Sequence, residues 1–434
     1  MVHSFTVNGH HLVLDIASGA LHEVDEVAFE IIRELQANPD AQIANQEVMV
    51  EIRQLIEMGQ LFSPSREAEV HEHMKNRRPV VKALCLHMAH ECNLRCKYCF
   101  AGQGDYGSDR GLMPLETGKK ALDFLIAQSG TRRNLEVDFF GGEPMLNFGT
   151  VKALVAYGRT REKETGKIFR FTLTTNGSLL TEADHGYINT HFDNVVLSLD
   201  GRPEINDKMR IGGNYDAVFP KIKALADSRN HENYYVRGTY TRENLDFAAD
   251  VLHLAEAGFT QISVEPVVAP PDMGYSLRRK DLPALFAEYE KLAEALIIRK
   301  REGKPVNFFH FMMDLSGGPC LAKRVTGCGA GSEYLAVTPS GRLFPCHQFV
   351  GDDKFLLGDL DTGILNKTVV DEFAGCHVYS KPDCMDCWAK YYCSGGCMAN
   401  AYYANDGINI PDEIGCDLQR KRIECALYMK ATER

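Results

Sequence analysis

A chain of 434 residues with 44% hydrophobic and 25% charged side chains has ordinary globular composition, and its length suggests roughly two to four domains. A formal net charge of −11 argues against the class that grips a nucleic-acid backbone, because that affinity rests on Lys and Arg neutralising phosphates. The opening MVHSFTVNGHH lacks the basic and apolar regions of a secretory signal, and the apolar run Tyr289–Ile298 is broken by charges, so a cytoplasmic protein without membrane spans is expected.

Residues 1–70 read as a first module. HSFTV and HHLVLDI flank Asn8-Gly9, a type I′ hairpin signal, and Ser18-Gly19 marks a second turn before ALHEV. Asp25 caps a helix over EVAFEIIRELQ, whose apolar Val27, Phe29, Ile31, Ile32 and Leu35 leave a polar face. A second helix, QEVMVEIRQLIEMG, ends near Gly59. Three short strands with two or three helices suggest a winged-helix-like module, and the charged stretch SPSREAEVHEHMKNRRP reads as a linker.

Over residues 80–310 strands and helices alternate. The expected strands are VVKALCLHMA, then 135–140, 169–175, 194–200, 234–240 and 261–267. Helices begin near Pro114, Phe148, Thr181, Tyr215 and Asn244, and a further one runs from Asp281 to about Lys300. Six βα units imply a parallel sheet, since each strand needs a crossover to reach its neighbour. The expected fold class is α/β, a partial (β/α)6 TIM-type barrel; a closed eight-unit barrel would leave too few residues for the cysteine-rich tail. That tail, residues 311–434, is rich in Cys and Gly with short strands, and EYLAVTPSGRLFPC reads as a hairpin turning at Pro339-Ser340-Gly341.

The fourteen cysteines are many for a reducing compartment, and they are unevenly placed. None precedes Cys85, four fall at 85–99, none lies between 100 and 319, and ten follow from Cys320 onward. Such clustering points to metal or iron–sulfur ligation. Cys92, Cys96 and Cys99 follow the first barrel strand, at the end where barrel active sites are built. A structural zinc site wants four closed ligands, whereas three thiolates on a [4Fe–4S] cluster leave one iron open to bind something else. The alternatives are a zinc site borrowing a distant ligand and a thioredoxin-like Cys96/Cys99 redox pair.

This C-x3-C-x2-C loop resembles the signature of the radical S-adenosylmethionine (SAM) superfamily, with Tyr98 as the aromatic residue typical before the third cysteine. The resemblance implies that the open iron chelates the amino and carboxylate groups of SAM, and that one electron then releases a 5′-deoxyadenosyl radical. It also implies roles for the motifs downstream. Gly141-Gly142-Glu143-Pro144 follows the second strand and is implied to meet the SAM amino group; glycines permit close backbone approach, and a carboxylate suits an ammonium. Thr174-Thr175-Asn176-Gly177 ends the third strand, where Asn176 is placed to bond the ribose. Ser198, in Ser198-Leu199-Asp200-Gly201, and Arg210 are implied to hold the SAM carboxylate. Taken alone, the glycine motif also reads as a simple turn, and Arg210 as a surface salt bridge.

The tail is similar to the seven-cysteine SPASM domain: Cys328-x12-Gly341-x4-Cys346, then Cys384-x2-Cys387-x5-Cys393-x3-Cys397 and Cys416. The resemblance implies two auxiliary [4Fe–4S] clusters, three clusters in all, the first auxiliary one on Cys328, Cys346 and Cys397 and the second on Cys384, Cys387, Cys393 and Cys416. The first has three thiolates; Cys320 is a candidate to close it, but an open iron free to take a substrate thiolate is the expectation. A zinc ribbon over 384–397 is the alternative. Cys85, Cys376 and Cys425 read as buried structural thiols.

Chains of this type resemble enzymes that modify peptide side chains. The first module is similar to a PqqD-like element, which binds a leader peptide by strand addition at a sheet edge; the acidic charge disfavours a DNA-reading winged helix. Over essentially the whole chain the resemblance is to the SCIFF-peptide maturase family. It implies intramolecular Cys sulfur-to-carbon thioether crosslinks of sactionine type in a small cysteine-rich precursor peptide bound through its leader. A one-electron reductant of ferredoxin or flavodoxin type is implied as well. The alternative enzyme is an anaerobic sulfatase-maturing, formylglycine-forming one, but that group carries an acid where this chain has His347. The non-enzyme alternative is a zinc-binding regulatory protein.

Overall fold

The computed structural model describes residues 1–434 other than Arg66, Asn76, Asp109, His231, Asp314, 316–320 and 433–434. Its first sheet is antiparallel, ordered β1 (Val2–Val7), β2 (His10–Asp15), β3 (Leu21–Val24). Asn8 and Gly9 both take positive φ, 49° and 81°, as a type I′ turn requires, and Val7 faces His10 across it. Alternation along β2 splits the module's packing: Val13 joins a small core with Phe29, Ile32 and Ile52, while Leu12 and Leu14 join the main core of the molecule. Helix α1 (Glu26–Ala37) is capped by Asp25, which accepts from Ala28 N, and α2 (Gln46–Glu57) by Asn45, which accepts from Val48 N.

The stretch expected as a linker contains a helix, α3 (Glu67–Lys75). Its charge density suggested solvent, but Val70 packs with Val325, Val378 and Cys384 of the tail, and Glu67 pairs with the buried Lys390. Burial of one apolar residue and one ion pair decides the element, and neither partner is near in sequence.

Among the described residues the large sheet has eleven strands. Its first part runs β4 (Ala83–Ala89), β6 (Asn134–Gly141), β7 (Ile168–Thr175), β8 (Asn194–Ser198), β10 (Tyr234–Tyr240), β11 (Gln261–Pro266) and β12 (Asn307–Phe308), all parallel and neighbours in chain order. The intervening numbers belong to a separate two-residue pair outside this sheet, β5 (Arg95–Cys96) antiparallel to β9 (Arg210–Ile211). Helices α4 (Leu115–Gln128), α5 (Phe148–Thr165), α6 (Glu182–His191), α7 (Pro203–Met209), α8 (Tyr215–Ser228), α9 (Phe247–Glu256) and α10 (Leu282–Arg301) connect the strands. Leu135, Val137 and Phe139 of β6 and Phe169, Phe171 and Leu173 of β7 are buried, whereas Asp138, Phe140, Thr172 and Thr174 face the opposite, more open side. The seventh parallel strand, β12, was not expected, because two residues are too short to show a period.

On its other edge the sheet continues into the cysteine-rich region. β13 (Tyr334–Val337) lies parallel to β4, followed by antiparallel β14 (Arg342–Phe344), β15 (Gly358–Asp359) and β16 (Gly363–Ile364). The hairpin expected over 333–346 is therefore part of the same sheet as the βα units. The C-terminal helix Glu413–Thr432 packs along α10 and reaches the first module, where His3 bonds Glu424 at 3.0 Å and stacks on Trp388 at 3.7 Å. Among the described residues, no helix is long and apolar enough to cross a membrane.

Candidate functional site

The cysteine loop leaves β4 at Ala89 and is held by backbone contacts before any metal is considered. Gly142 N donates to Ala89 O at 2.8 Å and Glu143 N to Glu91 O at 2.9 Å, laying the GGEP turn against the loop's start. A Cβ on Gly142 would sit 2.1 Å from Glu91 O, so no other residue permits this approach. Gly104, at φ 107°, packs against the loop from the other side: a Cβ there would meet Cys92 Cβ at 2.8 Å. The short β5–β9 ladder and a bond from Lys97 N to Met209 O, 2.8 Å, fix Cys96. Cys92 Sγ accepts from Leu94 N at 3.4 Å and from Asn176 Nδ2 at 3.9 Å.

Glu143 is 1% exposed, and three donors fix its carboxylate: Thr175 Oγ1 at 2.7 Å and Met145 N at 3.0 Å on Oε1, and Asn176 N at 2.8 Å on Oε2. Burial pushes its carboxyl up, against these donors. It braces the ends of β6 and β7 and keeps one lone-pair direction in reserve. Asn176 is similarly engaged, its Nδ2 on Asn93 Oδ1 at 2.9 Å and its Oδ1 accepting from Ser178. Ser198 ends β8, half-buried.

Arg210 is not on the surface. It is buried, its Nη2 lies 3.0 Å from Asp200 Oδ1, and its Nε is buried without a partner. Asp200, fully buried, also accepts the Tyr98 hydroxyl at 2.7 and 2.8 Å and Thr239 N at 3.0 Å. Burial opposes the guanidinium's charge, but Asp200, Tyr98 and Cys96 together outweigh it and raise its pKa. Asp200 is the centre that sequence reasoning passed over: it aims Tyr98 and Arg210 from one carboxylate, and an acid between a strand end and Gly201 was the available signal.

Three soft thiols, with backbone folded closely around them, suit an iron–sulfur cluster. Among the described residues no three His, Cys, Asp or Glu side chains are gathered tightly enough to hold one metal ion, so the fit rests on the donor set and the loop geometry. Burial raises the Cys92 thiol and pushes Cys96 up to about 11, where Asp200, Cys99 and Cys92 add to it and Arg210 opposes it. Such thiols keep their protons until iron displaces them.

In the tail, seven of the remaining cysteines influence one another electrostatically in two sets, without three of them being gathered tightly enough to hold one metal ion. Burial raises Cys346 well above the thiol range, and the charges of Cys397 and Cys328 bear on it. Burial pushes Cys384 up to about 11, with Cys393 and Cys387 close by, and Cys416 to about 12, with Cys393, Cys384 and Cys387 around it. Cys320 lies outside the described residues. Cys85, Cys376 and Cys425 are buried. His347 points toward the cysteine loop's face of the sheet: its ring is 5.1 Å from Phe140 and 5.3 Å from Phe100, and its Nδ1 lies 3.1 Å from Tyr334 OH. Burial, with Arg237, holds it down to about 4.

Residues 81–214 match a family described as a 4Fe-4S single cluster domain. The radical SAM cyclopropyl synthase TigE of Paramaledivibacter caminithermalis is 20% identical over 93% of this chain and 89% of its own length. Among solved structures, anSMEcpe with bound AdoMet and the Cp18Cys peptide gives a TM-score of 0.64 at 19% identity, covering 81% of this chain and 99% of that one. Streptococcus suis SuiB bound to its precursor peptide SuiA gives 0.55 at 16% identity, covering 95% and 98%. Together with the site these similarities support one coarse statement: the chain shares the mixed α/β fold of the anSMEcpe and SuiB structures, and its residues 81–214 resemble a 4Fe-4S single cluster domain.

Proposed function

We propose that this chain is a radical SAM peptide maturase that forms intramolecular Cys sulfur-to-carbon thioether crosslinks in a small cysteine-rich precursor peptide. The observation that carries the reading is the seating of the cysteine loop's start, Glu91 and Cys92, on Gly142, beside the buried sets around Glu143 and Asp200. Glu143 and Asn176 hold the strand ends that would frame SAM, Ser198 and Arg210 stand where its carboxylate would lie, and Tyr98 closes the loop onto Asp200. A [4Fe–4S] cluster bound by the three thiolates would supply one-electron reduction of SAM. The two tail groups would hold auxiliary clusters, Cys328, Cys346 and Cys397 leaving an iron open for a substrate thiolate. The consecutive parallel order of the strands supports a partial barrel, with the site at their C-terminal ends. β3 ends its sheet and offers an edge on which a leader peptide adds as a strand, in a PqqD-like role for residues 1–70.

Peptide modification draws support from the relatives: the SuiB structure is bound to a precursor peptide, and the anSMEcpe structure to a peptide. Formylglycine formation is the rival, and the higher TM-score favours it. It needs a proton acceptor after Cys346, and the buried His347 is a weak base there.

The test is anaerobic turnover with short cysteine-rich peptides encoded beside the gene, read by mass spectrometry with thiol alkylation. Loss of two hydrogens together with one alkylatable thiol, and with formation of 5′-deoxyadenosine, is expected; a formylglycine aldehyde in the peptide overturns the thioether reading. Metal analysis should give about twelve irons per chain for three four-iron clusters, and stoichiometric zinc without iron would sink the enzyme reading altogether.

A further inference from the structure

The open face of the large sheet carries a cation that no side chain answers. On β10, Tyr234, Val236, Gly238 and Tyr240 are buried, while Tyr235, Arg237 and Thr239 occupy the other face. Arg237 sits in mid-strand, beside Ser198 of β8 and Ser263 of β11 in register. It is exposed, its carbonyl accepts from Leu199 N at 3.0 Å, and among the described residues its side chain makes no hydrogen bond or ion pair.

Its charge is nevertheless felt at Asp138 of β6, at Glu265 of β11, and at His310 and His347. Asp138, Arg237 and Glu265 all alternate with buried neighbours and occupy the open face of the sheet. The other charges on this face are already answered. Glu265 takes His310 Nε2 at 2.6 Å and the Ser263 hydroxyl at 2.9 Å. Arg422, reaching in from the C-terminal helix, donates Nε to Tyr289 OH at 2.9 Å, and its charge also bears on Glu265. Asp138 accepts from Thr174 Oγ1 at 3.2 Å, and burial pushes its carboxyl up to about 7, so near neutral pH it supplies less than a full negative charge. Two guanidinium groups thus face one firmly ionised carboxylate, and the surplus positive charge lies on Arg237.

A guanidinium presents five N–H donors in a planar fork that matches a carboxylate with two parallel bonds. We propose that Arg237 binds a carboxylate of the substrate peptide, either the side chain of an Asp or Glu in the modified segment or the carboxylate at the peptide's C-terminus. This deepens the peptide-maturase reading and rests on it.

The test titrates the anaerobically reconstituted, SAM-loaded full chain with three small probes, by calorimetry. N-acetylglutamic acid α-amide carries only a side-chain carboxylate, N-acetylglutamine only a main-chain one, and N-acetylglutamine amide neither. At least one acid should bind about tenfold or more tightly than the diamide; which acid it is identifies the source. Arg237→Gln should erase that difference and Arg237→Lys retain part of it, with SAM affinity and iron content unchanged in both. Equal binding of acids and diamide by the unaltered chain overturns the proposal. So does an Arg237→Gln variant that binds the acids normally, or one that loses SAM affinity instead, which would assign the guanidinium to the SAM carboxylate. No peptide turnover enters the measurement, so a chain that modifies no peptide fails the maturase reading without deciding this one.

Discussion

The two cysteine-bearing regions hold their thiols by different means. Cys92, Cys96 and Cys99 belong to one loop, pinned by backbone bonds to Gly142, Glu143 and Met209 and flanked by a parallel sheet of long strands. In the tail, Cys346 feels the charges of Cys397 and Cys328, and Cys416 those of Cys393, Cys384 and Cys387, across separate segments of the chain. Its local elements are slight: β15 and β16 have two residues each, and the helices Pro382–Met385 and Lys390–Cys393 have four. Pieces that short do not persist alone. A cluster of Phe349, Phe355, Phe373 and Tyr402 packs beside Cys346, but the core shared by Val70, Val325, Val378 and Cys384 is small. The loop after β4 is thus shaped by its own backbone contacts, whereas on the proposed reading the tail would depend on iron for part of its shape.

The largest effect expected from this contrast is on chemistry. Replacing any one of Cys92, Cys96 or Cys99 by Ala should bring 5′-deoxyadenosine formation down to background while the far-ultraviolet circular dichroism of the sheet survives; residual turnover comparable to the unaltered chain would break the assignment. Next comes removal of iron by a chelator. Hydrogen exchange should accelerate through 382–416 by orders of magnitude more than through β6, β7 and β8 if, as proposed, metal binding there is part of folding. Uniform acceleration would erase the distinction between the regions.

A third, smaller effect sharpens the barrel side. Asp200→Ala leaves Arg210 buried without its anion and Tyr98 without its acceptor, at a cost of about 3–5 kcal/mol in denaturant unfolding. A loss below about 1 kcal/mol would show that solvent reaches the pair. The smallest effect concerns pH. Asp138's carboxyl is raised from 3.8 to about 7, so the folded chain keeps a proton that the unfolded chain releases, and stability falls as pH rises from about 4 to about 7. Asp138→Asn should remove that slope; an unchanged slope would place the titrating group elsewhere.

Much of the fold was legible. The parallel strands, the Asn8-Gly9 hairpin and the Asp25 cap are written in local patterns: alternation of period two, a dipeptide that tolerates positive φ, and an acceptor one turn before an amide. α3 was not, because its reason for being helical lies across the molecule at Val325 and Lys390. Nor was β12, two residues paired to β11. Within the site, the motif residues Cys92, Gly142, Glu143 and Asn176 were readable as a set, but their division of labour was not. Glu143 and Asn176 spend most of their hydrogen-bonding capacity on each other and on the cysteine loop.

The sequence by itself determined the donor chemistry: three thiols at a spacing one loop can present, and seven more in the tail. Residue type and short spacing are properties of a chain segment, and they survive without any knowledge of the fold. Only the tertiary structure decided that Asp200 serves Tyr98 and Arg210 together, and that Arg237 shares a sheet face with Asp138 and Glu265 while its side chain has no bonded partner among the described residues. Those relations join strands far apart in sequence, paired by register across the sheet, and no local pattern records which strands become neighbours.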